Sequence, residues 1–372
     1  MGLYLHIPFC VKKCPYCDFI SGPVGKAQRH SHLKALKREI RHSSWAGSRV
    51  HTVFLGGGTP SELTLTEMAG LVSALRETFA LEGTREWTLE CNPGTVSLPK
   101  LAAIRHLGFN RLSLGVQSFN DGHLRALGRI HDSQEARQAM GWSRQAGFEN
   151  LNLDLIFALP GQTPAEWRMD LEEALEFGPE HLSLYNLTIE PGTPFATVQA
   201  CGELRLPEEE TAAEMFEMAM DLTAKAGYRH YEISNYARRG YECAHNQIYW
   251  RNQPYLGFGL GAASFMDGVR WANTASFSDY ALHAGTSRVP RLQEERLEGR
   301  RAAGEEVMLR LRTAEGVRLD QLSTRYGLDL SRTFSDSIDF FLVQGLLERQ
   351  GDRIFLTRRG KLLANPVCAE FL

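Results

Sequence analysis

The chain has 372 residues, of which 43% are hydrophobic and 23% are charged. This composition excludes collagen-like, disordered and disulfide-scaffold proteins, and the length fits about two domains unless one is an α/β barrel. The formal charge is -3, so no general attraction to nucleic acids or anionic membranes is expected. No apolar run of about 18 residues marks a transmembrane helix, and no signal peptide is recognisable, which predicts a cytoplasmic protein.

Six short strand-like segments alternate with helical segments in the first 190 or so residues, a pattern typical of βα repeats. The segments cover residues 2–8, 50–56, 86–92, 111–117, 150–159 and 181–189. A clear helix lies between the second and third, with Thr64 and Glu67 as its capping box. Its apolar residues recur at helical spacing: Met68, Leu71, Val72, Leu75 and Phe79.

Apolar and polar side chains alternate within these strands, so the sheet has one apolar and one polar face. In the fourth strand, Leu112, Leu114 and Val116 alternate with Ser113, Gly115 and Gln117. The apolar face can pack against helices, whereas the polar face must enclose a polar interior. This pattern predicts an α/β fold, a partial (β/α)6 barrel with its site at the carboxyl ends of the strands.

The predicted domains are the barrel over residues 1–195, an extension with an aromatic loop over 196–299, and a C-terminal domain over 300–372. A helix is expected at 207–227 and a polar boundary at 285–304. Helices at 305–312, 319–326 and 334–348, followed by a hairpin at 349–357, predict an α+β winged-helix-like domain. From Arg300 onward there are 12 basic and 10 acidic residues, which favours a structural or docking role over DNA binding.

Three of the seven cysteines, Cys10, Cys14 and Cys17, follow the first predicted strand. Their clustering fits metal binding in a reducing compartment. A structural zinc site needs a fourth Cys or His ligand, and none lies at the usual short spacing downstream. Three thiolates on a cubane iron–sulfur cluster leave one iron open, so the loop predicts a reactive cluster that binds a small molecule.

The CxxxCxxC pattern from Cys10 to Cys17 resembles that of radical S-adenosylmethionine (SAM) proteins, in which the amino acid end of SAM fills the open iron position. Other motifs, over most of the chain, resemble those of oxygen-independent coproporphyrinogen III oxidases and their HemW relatives. They are YLHIPFC from Tyr4, GGGTP from Gly56, ECNP from Glu90, GVQSF from Gly115, LGRIH from Leu127, DLI from Asp154 and LPGQT from Leu159.

The resemblance implies a [4Fe-4S] cluster on Cys10, Cys14 and Cys17 that would pass one electron to the SAM sulfonium and release a deoxyadenosyl radical. The residues that it places against SAM are Tyr4, Tyr16, Gly57, Gly58, Thr59 and Glu90. A second SAM site of the oxidases is matched by Gln117, Arg129 and Asp154. The alternative is that these last three only satisfy one another in a polar interior.

Two departures argue against the oxidases. Phe19 stands where the oxidases carry a further cysteine, and the first strand begins at residue 2, whereas theirs follows an N-terminal arm. The segment HNQIYW from His245 instead matches the HNxxYW motif of the HemW group of heme chaperones. Because imidazole is a common axial ligand of heme iron, His245 is the expected heme ligand and Cys243 the alternative. The competing interpretation is an ordinary hydrogen-bonded histidine in an aromatic loop.

The leading hypothesis is a heme chaperone that binds a [4Fe-4S] cluster, SAM and heme and transfers heme to apo-hemoproteins. The alternatives are an oxygen-independent coproporphyrinogen III oxidase, another tetrapyrrole-directed radical SAM enzyme, or a regulatory protein acting through its C-terminal domain. No catalytic residue is assigned and no nucleic acid partner is expected. Respiratory hemoproteins as recipients would bring the chain into peripheral contact with a membrane, although no basic amphipathic helix marks such contact.

Overall fold

A computed structural model describes residues 1–284, 286 and 291–372. Its centre is a run of six parallel strands. They are β1 (Gly2–Ile7), β2 (Thr52–Gly57), β3 (Glu86–Cys91), β4 (Arg111–Gln117), β5 (Leu151–Phe157) and β6 (His181–Asn186). The six predicted strands are confirmed to within three residues at each end.

Helices connect these strands and cover one face of the sheet. They are α1 (Lys26–Arg41), α2 (Leu65–Thr78), α3 (Leu98–His106), α4 (Asp121–Ala126), α5 (Ser133–Gln145) and α6 (Pro164–Phe177). The predicted capping box of α2 is present, because the Thr64 side chain accepts from the Glu67 backbone N–H and the Glu67 carboxylate accepts from that of Thr64. The two bonds satisfy backbone donors that otherwise lack partners in the first turn.

The core lies between these helices and the apolar strand face. Alternate strand residues are buried there, among them Leu3, Leu5, Leu89, Leu112, Leu114, Leu153 and Leu182. The intervening side chains point to the other face, which is polar and encloses a cavity. The predicted α/β barrel-like fold with a polar interior is therefore confirmed.

The next segment extends the sheet at both edges. Its elements are α7 (Pro194–Ala200), α8 (Glu209–Lys225), β7 (Arg229–Glu232), β8 (Asn235–Ala237), α9 (Ala244–Trp250), β9 (Tyr255–Phe258), β10 (Ala263–Met266), β11 (Val269–Asn273), α10 (Phe277–His283) and β12 (Arg291–Arg296). The strand order is β12-β11-β10-β9-β1-β2-β3-β4-β5-β6-β8-β7. The added strands β7 to β11 have three to five residues, too few for the alternation of side chains to show in the sequence. β12 has six residues, but all of them are exposed, so no apolar face marks it. The HNxxYW residues, expected in a loop, form helix α9.

The C-terminal domain has its own apolar core. Its elements are α11 (Gly299–Leu311), β13 (Val317–Arg318), α12 (Leu319–Tyr326), α13 (Leu330–Thr333), α14 (Ser335–Val343), β14 (Leu347–Gln350), β15 (Arg353–Leu356), α15 (Arg358–Leu362) and α16 (Ala364–Ala369). α11 begins six residues before the predicted helix, since buried Ala303 continues the apolar stripe of Val307 and Leu311. Of the predicted boundary 285–304, residues 285 and 287–290 lie outside the described residues; most of the rest is β12 and α11.

The C-terminal domain contacts the barrel beside α9. Arg270 of β11 pairs with Glu305 of α11 at 2.6 Å, and the Arg312 guanidinium lies 5.4 Å from the Trp250 ring centroid. The backbone N–H of Ala314 donates to the Tyr231 carbonyl at 2.9 Å. The domain therefore supports the helix that carries the HNxxYW residues. In the part of the chain that the structure describes, no helix is both long and apolar enough to cross a membrane.

Candidate functional site

A cavity of about 600 Å³ opens on the polar face of the central strands. Every residue that the sequence assigned to a cofactor lines it: Tyr4, Cys10, Cys14, Tyr16, Cys17, Gly57, Gly58, Thr59, Glu90, Gln117, Arg129, Asp154 and His245. Most of them come together because parallel strands bring the loops that follow them to one edge of the sheet. His245 instead lies on α9, beside the first residues of β2 and β3. Their individual roles stay predictions.

The three cysteines lie on the loop that follows β1. Backbone hydrogen bonds from Cys10 to Gly22 and from Cys17 to Cys14 fold this loop back on itself. Each sulfur has a polar neighbour: the Thr59 hydroxyl donates to Cys10 at 3.5 Å, Arg129 donates to Cys14 at 3.7 Å, and the Ser21 hydroxyl lies 4.0 Å from the Cys17 sulfur. Such contacts stabilise thiolates, the form in which cysteine binds metal.

The three cysteines provide a set of thiolates that a cubane cluster can use. Among the described residues, no three His, Cys, Asp or Glu side chains converge on a point that would hold one metal ion. A cubane cluster binds each thiolate to a different iron, so its ligands surround a cavity. Burial raises the pKa of the Cys10 and Cys17 thiols, which therefore need a cationic partner to ionise near neutral pH. The donor set fits an iron–sulfur cluster.

Two glycines of the GGGTP segment allow its backbone to pack closely against β1 and the cysteine loop. A Cβ atom on Gly58 would lie 2.7 Å from the Phe9 carbonyl oxygen and 3.0 Å from the Cys10 sulfur. Gly57 has a φ of 110°, and a Cβ there would lie 2.6 Å from the His6 ring. Only glycine allows both the conformation and the close approach. The resemblance places these glycines against SAM, which stays a prediction; the structure brings Gly58 against the cysteine loop and Gly57 against the His6 ring.

Glu90, the penultimate residue of β3, lies beside these glycines. Its carboxylate accepts a hydrogen bond from the Gly57 backbone N–H at 3.0 Å. Burial, together with the neighbouring Asp154 carboxylate, raises the pKa of Glu90 to about 8. A cationic ligand in the cavity would favour the ionised carboxylate. Glu90 is therefore suited to bind a positively charged group.

Gln117, Arg129 and Asp154 do not simply satisfy one another. Arg129 donates to the Gly115 carbonyl at 2.7 Å, and Asp154 accepts from Ser113 at 3.1 Å and from Asn152 at 2.7 Å. The Gln117 amide oxygen is buried without a partner among the described residues. Gln117 also has a φ of 70° at an irregularity between β4 and β5. Left-handed backbone of this kind is costly and is common at functional sites.

Helix α9 lies near the amino ends of the central strands, beside Thr52 and Glu86. We call this the closed end of the cavity, because His245 and Arg111 there are only 1% and 2% exposed. The Glu86 carboxylate fixes the helix there by accepting from the backbone N–H groups of Ala244 and His245 at 2.8 and 2.9 Å. His245, Asn246 and Tyr249 line the barrel cavity. The helix thus brings half of the HNxxYW motif to the same cavity as the cysteine loop.

Both ring nitrogens of His245 have hydrogen-bond partners. Nδ1 lies 2.8 Å from the Thr52 hydroxyl, and Nε2 lies 2.8 Å from the Tyr249 hydroxyl. Burial and the nearby Arg111 cation lower the pKa of His245 to about 3, so the imidazole is neutral. Neutral imidazole is the form that binds metal, but ligation of heme iron requires one hydrogen bond to break. Cys243, the alternative ligand, is fully buried against Glu86.

Several cavity residues carried no assignment from the sequence. Arg111, Asn152, Asn246 and Tyr249 all line the cavity, and His6 supports it by bonding to the Tyr4 hydroxyl at 3.1 Å and the Ile20 carbonyl at 2.8 Å. The alternation of β4 contained the signal for one of them, because Arg111 precedes Ser113, Gly115 and Gln117 on the polar face.

Comparison with known proteins shows which class of protein has this fold and this site. The model of the radical SAM superfamily matches residues 4–174, and that of the HemN C-terminal domain matches residues 297–363. The coproporphyrinogen III oxidase HemN from Escherichia coli, a radical SAM enzyme, superposes with a TM-score of 0.87 and 26% identity, covering 100% of this chain and 89% of that one. Fold and site together define a radical SAM protein.

Curated relatives narrow the class. The heme chaperone HemW of Lactococcus lactis is 37% identical over 99% of this chain and 96% of its own. Those of Bacillus subtilis and Escherichia coli are 34% and 36% identical, over 99% and 100% of this chain and 98% of each relative. The chain belongs to the HemW family of radical SAM proteins.

Proposed function

We propose that this protein is a heme chaperone that binds a [4Fe-4S] cluster, SAM and heme, and that it transfers heme to apo-hemoproteins. The observation that carries the proposal is the position of α9, because His245, Asn246 and Tyr249 of its HNxxYW motif line the cavity that also contains the cysteine loop. Full-length similarity to proteins named heme chaperone HemW supports it.

In this proposal Cys10, Cys14 and Cys17 hold the cluster, which supplies one electron for SAM chemistry when reduced. Thr59 and Arg129 donate to two of its thiolates. Tyr4, Tyr16, Gly57, Gly58, Thr59 and Glu90 bind SAM, and Gln117, Arg129 and Asp154 extend the site. His245 is the proposed axial heme ligand. The partially exposed cysteine loop lies at the cavity mouth.

A second function is a tetrapyrrole-directed radical SAM enzyme such as coproporphyrinogen III oxidase. The TM-score of 0.87 against HemN favours it. Phe19, which stands where the oxidases carry a further cysteine, argues against it, and its side chain is 60% exposed.

The deciding experiment is a heme titration of the anaerobically reconstituted protein, followed by transfer to an apo-hemoprotein with and without SAM. A chaperone binds heme stoichiometrically and releases it to the acceptor while coproporphyrinogen III stays unchanged under reducing conditions. Turnover of coproporphyrinogen III would establish the enzyme instead, and failure to bind heme would exclude the chaperone.

A further inference from the structure

Arg111 begins β4 at the closed end of the barrel cavity, and it is only 2% exposed. Its Nε atom is buried, and within the described residues its guanidinium has no hydrogen-bond or ion-pair partner. Arginine does not lose its proton in proteins, so this cation persists. A buried cation without a partner is costly, and such groups are normally paired.

The nearby carboxylates do not pair with this guanidinium. Glu86 and Asp154 are close enough to act on Arg111 electrostatically. Glu86, however, accepts from the backbone N–H groups at the start of α9, and Asp154 accepts from Ser113 and Asn152. Arg111 therefore retains the capacity to donate hydrogen bonds to a group that enters the cavity.

A second donor lies at the same end of the cavity. Asn246, the residue after His245 on α9, lines the cavity, and its side-chain amide has no partner among the described residues. The electrostatic effect of Arg111 on His245 places the guanidinium close to this helix. A guanidinium and an amide that face one polar cavity form a good receptor for a carboxylate, because the arginine can donate two parallel hydrogen bonds.

We propose that Arg111 and Asn246 form a carboxylate subsite at the closed end of the cavity, and that its occupant is a porphyrin propionate. The assignment of the propionate rests on the proposed heme-binding function. The position beside His245 favours it, because a guanidinium and an amide next to the proposed ligand of the heme iron could donate hydrogen bonds to a carboxylate of the same heme. The amino acid carboxylate of a SAM molecule has the same chemistry and is the other source to be distinguished.

The test compares ligands that differ only in the carboxylate. Heme and heme dimethyl ester are titrated into the reconstituted full-length protein, and SAM and decarboxylated SAM form a second pair. The wild type should bind heme at least 10-fold more tightly than the ester. Arg111→Met should reduce this preference to near unity by weakening heme about 10-fold or more while leaving the ester little changed. Arg111→Lys should retain part of the preference, and Arg85→Met, at an exposed arginine outside the barrel cavity, should retain all of it.

The outcomes separate the two proposals. If Arg111→Met keeps the wild-type preference for the free carboxylate in both ligand pairs, the subsite is overturned, and the proposal that the protein binds heme is unaffected. If Arg111→Met loses the preference for SAM over decarboxylated SAM but keeps the preference for heme over its ester, the carboxylate subsite stands and the propionate assignment is overturned. If the wild type binds no heme, the chaperone proposal fails and the SAM pair decides the subsite. Should Arg111→Met not fold, Arg111→Lys and Asn246→Ala decide through the same ratio, which is measured within each variant.

Discussion

Arg129 Nη1 donates a hydrogen bond to the Cys14 sulfur at 3.7 Å. One arginine of the proposed second SAM set therefore touches a proposed cluster ligand, so the two predicted groups of residues adjoin each other. A cation that donates to a thiolate stabilises the more negative, reduced cluster.

Replacing Arg129 should therefore make the cluster harder to reduce. For Arg129→Met we expect the midpoint potential to fall by about 60 mV, the one-electron equivalent of about 1.4 kcal/mol, a typical value for a charged hydrogen bond. An EPR-monitored redox titration measures it. Arg125→Met, at an exposed position on α4, should leave the potential unchanged. An equal shift in both variants would mean that the contact with Cys14 has no specific effect.

The cluster should depend on three cysteines and no others. Single replacement of Cys10, Cys14 or Cys17 by Ala should abolish the charge-transfer absorbance and the EPR signal of the reconstituted protein, because a cubane cannot be held securely by two thiolates. Cys201→Ala, at an exposed cysteine outside the cavity, serves as the control and should keep both signals. A cluster retained without Cys14 would exclude the assignment.

SAM affinity should rise with pH through the titration of Glu90. The pKa of about 8 means that this carboxyl is mostly neutral at about pH 7 and ionised at about pH 9. Since a cationic ligand prefers the carboxylate, the Kd should fall over this range. Glu90→Gln should weaken binding by about tenfold or more at the upper pH and remove this part of the pH dependence. Equilibrium dialysis of both proteins across the range isolates the contribution of Glu90, and parallel curves would contradict it.

The Tyr249 hydroxyl should compete with heme iron for His245. In Tyr249→Phe the imidazole loses its Nε2 partner, so heme affinity should increase several-fold if this nitrogen binds iron. His245→Ala should change the Soret band and weaken binding. A Soret band that is the same in His245→Ala and the wild type would remove His245 as the axial ligand and leave it a structural role between Thr52 and Tyr249.

Glu39 should make folding stability depend on pH. Its carboxylate accepts from Tyr280 at 2.5 Å, from the Gly259 backbone at 2.9 Å and from Asn273 at 2.7 Å. Burial nevertheless raises its pKa from 4.5 to about 7. Between these values the unfolded chain has lost the proton that the folded chain retains, so stability falls as pH rises from about 4.5 to about 7.

Glu39→Gln should remove this dependence. The Tm of the variant minus that of the wild type should increase by a few degrees from about pH 5 to about pH 8, because only the wild type loses stability over this range. About 1 kcal/mol corresponds to roughly 2–4 °C in a domain of this size. Differential scanning calorimetry of the two proteins measures it. The matched control is Glu77→Gln, whose exposed carboxylate pairs with Arg41 and should not reproduce the trend.

The sequence by itself determined the six central strands, the polar face and part of the cavity lining, whereas Arg111, Asn152, Asn246 and Tyr249 carried no assignment. Alternation fixed which side chains share a face, because the period of a strand is two residues. The CxxxCxxC spacing predicted a cluster loop, since closely spaced thiols in one loop have few other uses. These signals are local and can be read along the chain.

Only the tertiary structure decided the contacts between distant segments. It placed Arg129 against Cys14 and formed a helix from the expected HNxxYW loop. It also paired both nitrogens of His245 with Thr52 and Tyr249 while leaving Arg111 without a partner among the described residues. Whether a buried polar group is satisfied depends on which segments pack around it, and no spacing in the sequence encodes that.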